Sequence, residues 1–143
     1  MNSKILSSGL EDYIEKVYIA QTKNIQLKAA DLARDFNISR ASVSEALARL
    51  VSKNLIEYKS NKNIILTLEG KKVAQAIYNK HSILSDFLSF VLSVPQKEAE
   101  ENACKIEHII SDNIVKEIYS FTKYCKLHQE FLDNFRKDNC DNG

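Results

Sequence analysis

Tryptophan is absent from this 143-residue chain, proline occurs once and glycine three times. So few breakers exclude a collagenous or Gly/Pro-rich disordered chain and leave a helix-rich one with few tight turns. Three cysteines, an odd count, do not make a disulfide scaffold. No basic-then-apolar leader opens the sequence, and no apolar run reaches the roughly 18 residues of a membrane helix. The longest, Ile83 to Val94, is interrupted by Asp86. The expectation is a cytoplasmic protein with reduced thiols and no membrane partner. A glycine-rich phosphate loop is also missing, and nothing signals a pocket for an organic small-molecule substrate, so the chain is not read as an enzyme.

What is present is an apolar fraction of 44%, enough to fill the core of one ordinary domain or of two small ones sharing a connecting helix. The formal net charge is only +1. Its distribution says more: residues 1–72 hold twelve Lys/Arg against eight Asp/Glu, and residues 73–143 hold eight against eleven. A basic front half suits an anion, and an acidic rear half suits a cation.

In the front half, Leu10, Ile14, Val17 and Tyr18 stand at helical spacing behind the potential caps Ser7 and Ser8. Asp12 and Glu15 lie three apart on the polar side of that helix. A second helix over Lys28–Phe36 and a third over about Arg40–Lys53 are joined by the tight connection Asn37-Ile-Ser39. With Leu32, Ile38, Val43, Leu47 and Leu50 facing inward, the pair matches a helix-turn-helix. Asn54 suits a helix end, because asparagine tolerates the left-handed conformation. Two short strand-like runs, Leu55–Tyr58 and Ile64–Leu66, flank the polar loop Lys59-Ser-Asn-Lys-Asn63 and complete a winged helix. The outer face of the third helix offers Ser39, Arg40, Ala41, Ser42, Ser44, Glu45 and Arg49, small enough to enter a major groove and cationic at both ends. Lys28, Lys59 and Lys62 are the expected backbone contacts. Glu45 is read as accepting from a cytosine amine or orienting a neighbouring arginine. One recognition helix supplies little affinity, so a homodimer reading two half-sites of double-stranded DNA is expected.

In the rear half, Thr67 is positioned to cap a long helix over about Leu68–Leu92. Pro95 breaks the chain before a helix over Gln96–Ile110, and Ser111 caps a last helical region over about Asp112–Lys137, with a break near Thr122 and a frayed tail from Asp138. Ala103-Cys-Lys-Ile-Glu-His-Ile-Ile-Ser111 places Cys104, Glu107 and His108 at i, i+3 and i+4, on one helical stripe. Three ligating groups on one stripe are costly to bury without a cation. Asp12, Glu15 and His81 have the character to complete the set. Three carboxylates, two imidazoles and a thiolate suit a six-coordinate divalent transition ion, Mn²⁺ or Fe²⁺, better than tetrahedral zinc. Cys104 pulls toward iron, cobalt or zinc and Asp12 toward a harder ion, leaving the metal open. Cys125 and His128 also stand three apart, and the reading preferred for them is a half-buried thiol beside a surface histidine.

The motifs "LEDYIEKVY", "ISRASVSEALARL", "LTLEGKKVA", "KHSILSDFL" and "ACKIEHIIS" resemble, in order and spacing, the diphtheria toxin repressor and manganese transport regulator family over about residues 8–121. The resemblance implies a mainly α protein: a winged helix-turn-helix DNA-binding domain over 1–72, then a helical metal-binding and dimerisation domain over 73–143. It puts Asp12, Glu15, His81, Cys104, Glu107 and His108 on the family's metal positions. It further implies a repressor of metal uptake or homeostasis genes that binds a palindromic operator as a homodimer, with one or two ions per subunit. The chain departs from the family at several points. Iron-type members have methionine at Asp12, manganese-type members have glutamate at Cys104, and the ancillary ligands of iron-type members fall on Ser85 and Glu100. A common wing glycine is replaced by Asn63, a tolerable exchange where the turn needs positive φ. The length matches the shorter manganese-type architecture, without a third, SH3-like domain. The alternatives are a winged-helix factor with purely structural zinc, a small metalloenzyme using Glu107 as base, and a protein-interaction module.

Overall fold

The computed structural model describes residues 6–59 and 62–141. The chain forms two compact units, one ending at Tyr78 and the other beginning at Asn79. It is mainly helical, with one two-stranded sheet.

In the first unit, α1 (Ser8–Thr22) starts where the Ser7 hydroxyl accepts from the Leu10 N–H. Asn24, with φ 54°, turns the chain out of it. α2 (Ala29–Phe36) begins where the Asp31 carboxylate accepts from the Lys28 backbone N–H. It ends at Asn37 in the left-handed conformation. Ser39 caps α3 (Arg40–Ser52), accepting from the Ser42 N–H, and Asn54 takes φ 57° after the helix as expected. Ile14, Val17, Leu32, Val43, Leu47 and Leu50 are fully buried and join the three helices in one core. Two expectations fail here. Ile38 is 39% exposed, since the connecting turn points it outward. Glu15 is buried, not on an open polar side: it follows Ile14 and precedes Val17 on a helix packed over more than half its circumference.

The wing strands are shorter than the apolar runs suggest: β1 (Ile56–Glu57) pairs antiparallel with β2 (Ile65–Leu66), Ile56 opposite Leu66. At the tip, Ser60 and Asn61 lie outside the described residues. Polar contacts from outside the hairpin hold β2. Asn63 Oδ1 accepts from the Leu27 N–H at 2.7 Å, the Ile64 N–H donates to the Leu27 carbonyl at 2.9 Å, and the Leu66 N–H donates to Gln21 Oε1 at 3.0 Å. Asn63 is not among the positive-φ positions, which include only Asn24, Asn37, Asn54 and Ser93 among the described residues. It stands in the wing as a hydrogen-bonding anchor, not as a stand-in for a left-handed glycine. Thr67 caps α4 (Leu68–Asp86) through the Gly70 N–H, and its own hydroxyl donates to the Asn54 carbonyl. A Cβ at Gly70 would overlap the Leu55 carbonyl, so only glycine lets α4 start this close to the end of α3.

In the second unit, α4 does not continue to Leu92: a π-helical turn, Phe87–Val91, follows Asp86, and Ser93 (φ 57°) ends it. The Phe90 carbonyl, at the end of the helix before Pro95, accepts from the Arg136 guanidinium. α5 (Gln96–Ile106) stops four residues earlier than expected, and the Ile109 and Ile110 N–H groups both turn back onto the Ile106 carbonyl. Ser111 caps α6 (Asp112–Leu127) as expected. The break falls at His128, six residues beyond Thr122, because Thr122 is held in the helix by donating to the Ile118 carbonyl. α7 (Gln129–Asp141) then runs through the expected frayed stretch up to Asp141. Val91, Cys125 and Leu132 form a small core, lined by Phe87 and Phe90. No helix among the described residues is long and apolar enough to cross a membrane.

Candidate metal centre and nucleic-acid face

α3 shows one buried edge, Val43, Leu47 and Leu50, and one open face. Ser39, Arg40, Ala41, Ser42, Ser44, Glu45 and Arg49 are all exposed, as are Lys28, Lys59 and Lys62. Two contacts organise this face. The Ser39 and Ser42 hydroxyls lie 2.9 Å apart, so the capping residue also orients its neighbour. The Arg49 guanidinium donates to Glu45 at 2.7 Å, one helical turn away, which holds the arginine side chain against the helix. Behind α3, the Lys16 ammonium donates to Asp35, which also meets Arg34, and Lys16 holds the Asp35 carboxyl below its ordinary value.

Four of the six candidate metal ligands lie in the second unit, and there they converge. His81 projects from α4, Cys104 from α5, and Glu107 and His108 from the turn after α5. His81 Nδ1 stands 2.9 Å from Glu107 Oε2 and 3.6 Å from Cys104 Sγ; His108 Nε2 stands 3.6 Å from Glu107 Oε1. The Glu107 side chain has no exposed surface, His81 and His108 are mostly covered, and the Cys104 thiol is exposed. Cys104 is therefore not the small buried apolar side chain that a lone cysteine in a helix usually is. Because the helix ends at Ile106, the ligands are not one straight stripe. Glu107 keeps helical dihedrals as the terminal residue, and the turn brings His108 onto its other oxygen. Glu107 Oε1 is buried and accepts no hydrogen bond, at a cost that a cation would remove. The donor set fits a divalent transition ion: one imidazole to each carboxylate oxygen and a thiol beside them.

Asp12 and Glu15 lie in the first unit on α1, Glu15 buried and Asp12 half-buried, both within hydrogen-bonding or electrostatic reach of other groups. The Cys125 thiol is fully buried in the core, not half-buried as expected, and burial raises its pKa, while the exposed His128 stacks on Tyr124 with ring centroids 4.2 Å apart.

The sequence reading missed Lys80. Its ammonium donates to the Ile110 carbonyl at 3.3 Å and to Asp112 at 2.8 Å, tying the helix of His81 to the turn of Glu107 and His108. The Asp112 carboxyl is held below its ordinary value, chiefly by this hydrogen bond from Lys80. A lysine next to a candidate ligand, and an aspartate next to a capping serine, were the available signals.

A family model of the iron dependent repressor N-terminal DNA binding domain matches residues 5–64, and one of the iron dependent repressor metal binding and dimerisation domain matches residues 67–138. An uncharacterized HTH-type transcriptional regulator of Methanocaldococcus jannaschii is 32% identical over 122 residues, covering 85% of this chain and 98% of that protein. The HTH-type transcriptional regulator MntR of Geobacillus thermodenitrificans is 27% identical over 134 residues, covering 92% of this chain and 94% of its own. The solved structure of the manganese regulator SloR is 27% identical with a TM-score of 0.70, over 80% of this chain and 54% of SloR. The chain thus spans about half the length of that solved relative. With both domain models matched in order, and a relative at 32% identity across nearly its whole length, the chain belongs to the iron-dependent repressor family that includes the diphtheria toxin repressor and the manganese transport regulators.

Proposed function

We propose that this protein is a metal-dependent, DNA-binding transcriptional repressor of metal-ion uptake or homeostasis genes, activated by Mn²⁺ or Fe²⁺ and acting in the cytoplasm as a homodimer on a palindromic operator. The observation that carries the reading is Glu107, a carboxylate with no exposed surface and one oxygen that accepts no hydrogen bond, set against His81, His108 and the Cys104 thiol. An anion buried this way is stabilised most simply by a cation shared with its neighbours. In this proposal Asp12 and Glu15 of α1 are further oxygen ligands, which makes a donor set for one or two ions per subunit. The description of SloR as a manganese regulator supports Mn²⁺, and the thiol of Cys104 supports Fe²⁺.

A bound divalent ion would supply the positive charge that a donor set containing the carboxylates of Asp12, Glu15 and Glu107 needs. Neutralised, they fix α1, and with it the α3 face that Ser39, Arg40, Ala41, Ser42, Ser44 and Arg49 present to the major groove. Lys28, Lys59 and Lys62 hold phosphates, and Glu45 keeps Arg49 in place. Ligand and operator then favour the same arrangement, so each tightens the other by about 1–3 kcal/mol. Apolar side chains left outward on the second unit, among them Ile109, Ile114, Tyr124, Leu127 and Phe131, support pairing with a second copy. These roles account for the chemistry without a reaction.

A mobility-shift titration on the upstream region of the protein's own gene tests this, with Mn²⁺, Fe²⁺, Zn²⁺ or chelator. Mn²⁺ or Fe²⁺ should tighten binding about 5- to 150-fold, the range of the coupling above, and Glu107→Ala should abolish the effect. Equal affinity in chelator overturns the proposal. Circular dichroism in the same chelator separates the alternative of a purely structural zinc, which predicts unfolding on metal removal.

A further inference from the structure

We infer that Lys80 is a positioning residue for the metal centre, acting through the turn that carries Glu107 and His108; the inference rests on the metal reading above. The candidate ligands of the second unit come from two pieces of chain, α4 through His81, and the end of α5 with the 107–111 turn through Cys104, Glu107 and His108. Nothing covalent fixes the gap between them. The backbone of that turn is thinly held: the Ile109 and Ile110 N–H groups share one acceptor, the Ile106 carbonyl, and Ser111 begins the next helix. Lys80 precedes His81 and closes the gap from the other side. Its ammonium takes the Ile110 carbonyl and the first carboxylate of α6, Asp112, while its stem is largely covered. The 2.9 Å separation of His81 Nδ1 from Glu107 Oε2 therefore depends on a clamp from the residue before His81 to positions two and four residues beyond His108.

The position is otherwise unfavourable for a cation. An ammonium at the N-terminus of α6 opposes the helix dipole, and Asp112 offsets that only because it stands in the first turn. A lysine with solvent as its sole purpose would project away. Lys80 instead directs its ammonium at the two groups that locate the turn.

The size of the effect follows from exposure. Hydrogen-bond partners of ligands typically change metal affinity 10- to 100-fold. Lys80 acts on the turn, not on a ligand atom, and Asp112 is 78% exposed. The expected loss is thus smaller, about 5-fold, in keeping with the weakness of exposed ion pairs.

The test is a Mn²⁺ titration of the full chain in competition with a fluorescent chelator, for the wild type, Lys80→Met, Lys80→Arg, Asp112→Asn and His81→Ala. Lys80→Met should weaken Mn²⁺ about 5-fold, Asp112→Asn by somewhat less, and Lys80→Arg should restore wild-type affinity because it can donate to both acceptors. The midpoint of thermal unfolding in chelator should be the same for wild type and Lys80→Met. Lys80→Met affinity within 2-fold of wild type overturns the inference while His81→Ala still loses the ion; so does a failed Arg rescue, or a lowered midpoint in chelator, either of which makes the clamp a general fold contact. Equal Mn²⁺ affinity of wild type and His81→Ala overturns the metal reading and this inference together.

Discussion

Among the described residues, seventeen buried apolar side chains form one continuous core in the first unit, whereas the core cluster of the second is Val91, Cys125 and Leu132. In the first unit α1, α2, α3 and the wing all contribute fully buried side chains to that core, although Leu68 and Ile25 still point outward. The second has the smaller core and leaves more of its large apolar side chains outward, with Ile109 at 84% and Leu127 at 73% exposure. A unit that reads DNA needs a fixed shape before it meets its operator. A unit that pairs and binds an ion can leave part of its stabilisation to those partners. The difference teaches that the same chain stores intrinsic stability at one end and conditional stability at the other.

The comparison is broken most severely at Gly70. Alanine there places a methyl on the Leu55 carbonyl, a backbone atom that cannot rotate away. Gly70→Ala should destabilise the first unit by about 3 kcal/mol, the upper range for overpacking. Urea unfolding followed by circular dichroism checks it; a loss below about 1 kcal/mol would show that the start of α4 slides freely past Leu55. The matched change in the other unit, Leu127→Ser, should cost the isolated chain less than about 0.5 kcal/mol, as for other exposed sites.

The outward face of the second unit is sharpened by its effect on association. Leu127→Ser combined with Phe131→Ser removes two apolar side chains, one of which packs edge-on against both Phe121 and Tyr124. If this face meets a second copy, the dimer dissociation constant should rise about 10- to 100-fold, the usual cost of removing a central aromatic anchor. Sedimentation equilibrium reads this directly. A dissociation constant unchanged by the pair moves the interface elsewhere, toward Ile109 and Ile114.

Legibility in the sequence followed the same divide. In the first unit the periodic residues Leu32, Val43, Leu47 and Leu50 and the helix end at Asn54 were readable, because core packing there obeys the helical repeat and asparagine suits the left-handed conformation; the cap at Ser39 was read only as part of the connecting turn. Ile38 misled because the tight turn, not the helix, sets its direction. In the second unit the candidate ligands His81, Cys104, Glu107 and His108 were readable by chemistry, while the geometry that brings them together was not. α5 ends at Ile106 with no glycine or proline to mark it, since Glu107 retains helical dihedrals and only the shared Ile106 carbonyl distinguishes turn from helix. The break at His128 is similarly unmarked. Glu15 was placed on an open side because its burial depends on what packs there, which spacing within one helix does not encode. The π turn after Asp86 carries no glycine or proline to mark it in the sequence.

The smallest expected effect lies at Asn63, where the wing joins the closed core. Its side-chain oxygen takes the Leu27 N–H, and the adjoining Ile64 N–H takes the Leu27 carbonyl, so the base of β2 is stitched to the linker between α1 and α2. Lys62 is its immediate neighbour. Asn63→Ala deletes one of the two stitches and leaves the Leu27 N–H half-covered without its acceptor, at a cost of about 1 kcal/mol. That is too little to unfold a unit with so large a core, but enough to loosen the strand beside the wing lysine. Operator affinity should fall about 3-fold in a mobility shift, with the salt dependence flattened as a phosphate contact weakens, and Mn²⁺ affinity should not change. A loss of Mn²⁺ affinity equal to the loss of operator affinity would mean that the closed core transmits wing disorder to α1, and the contrast between the two units would then be one of degree.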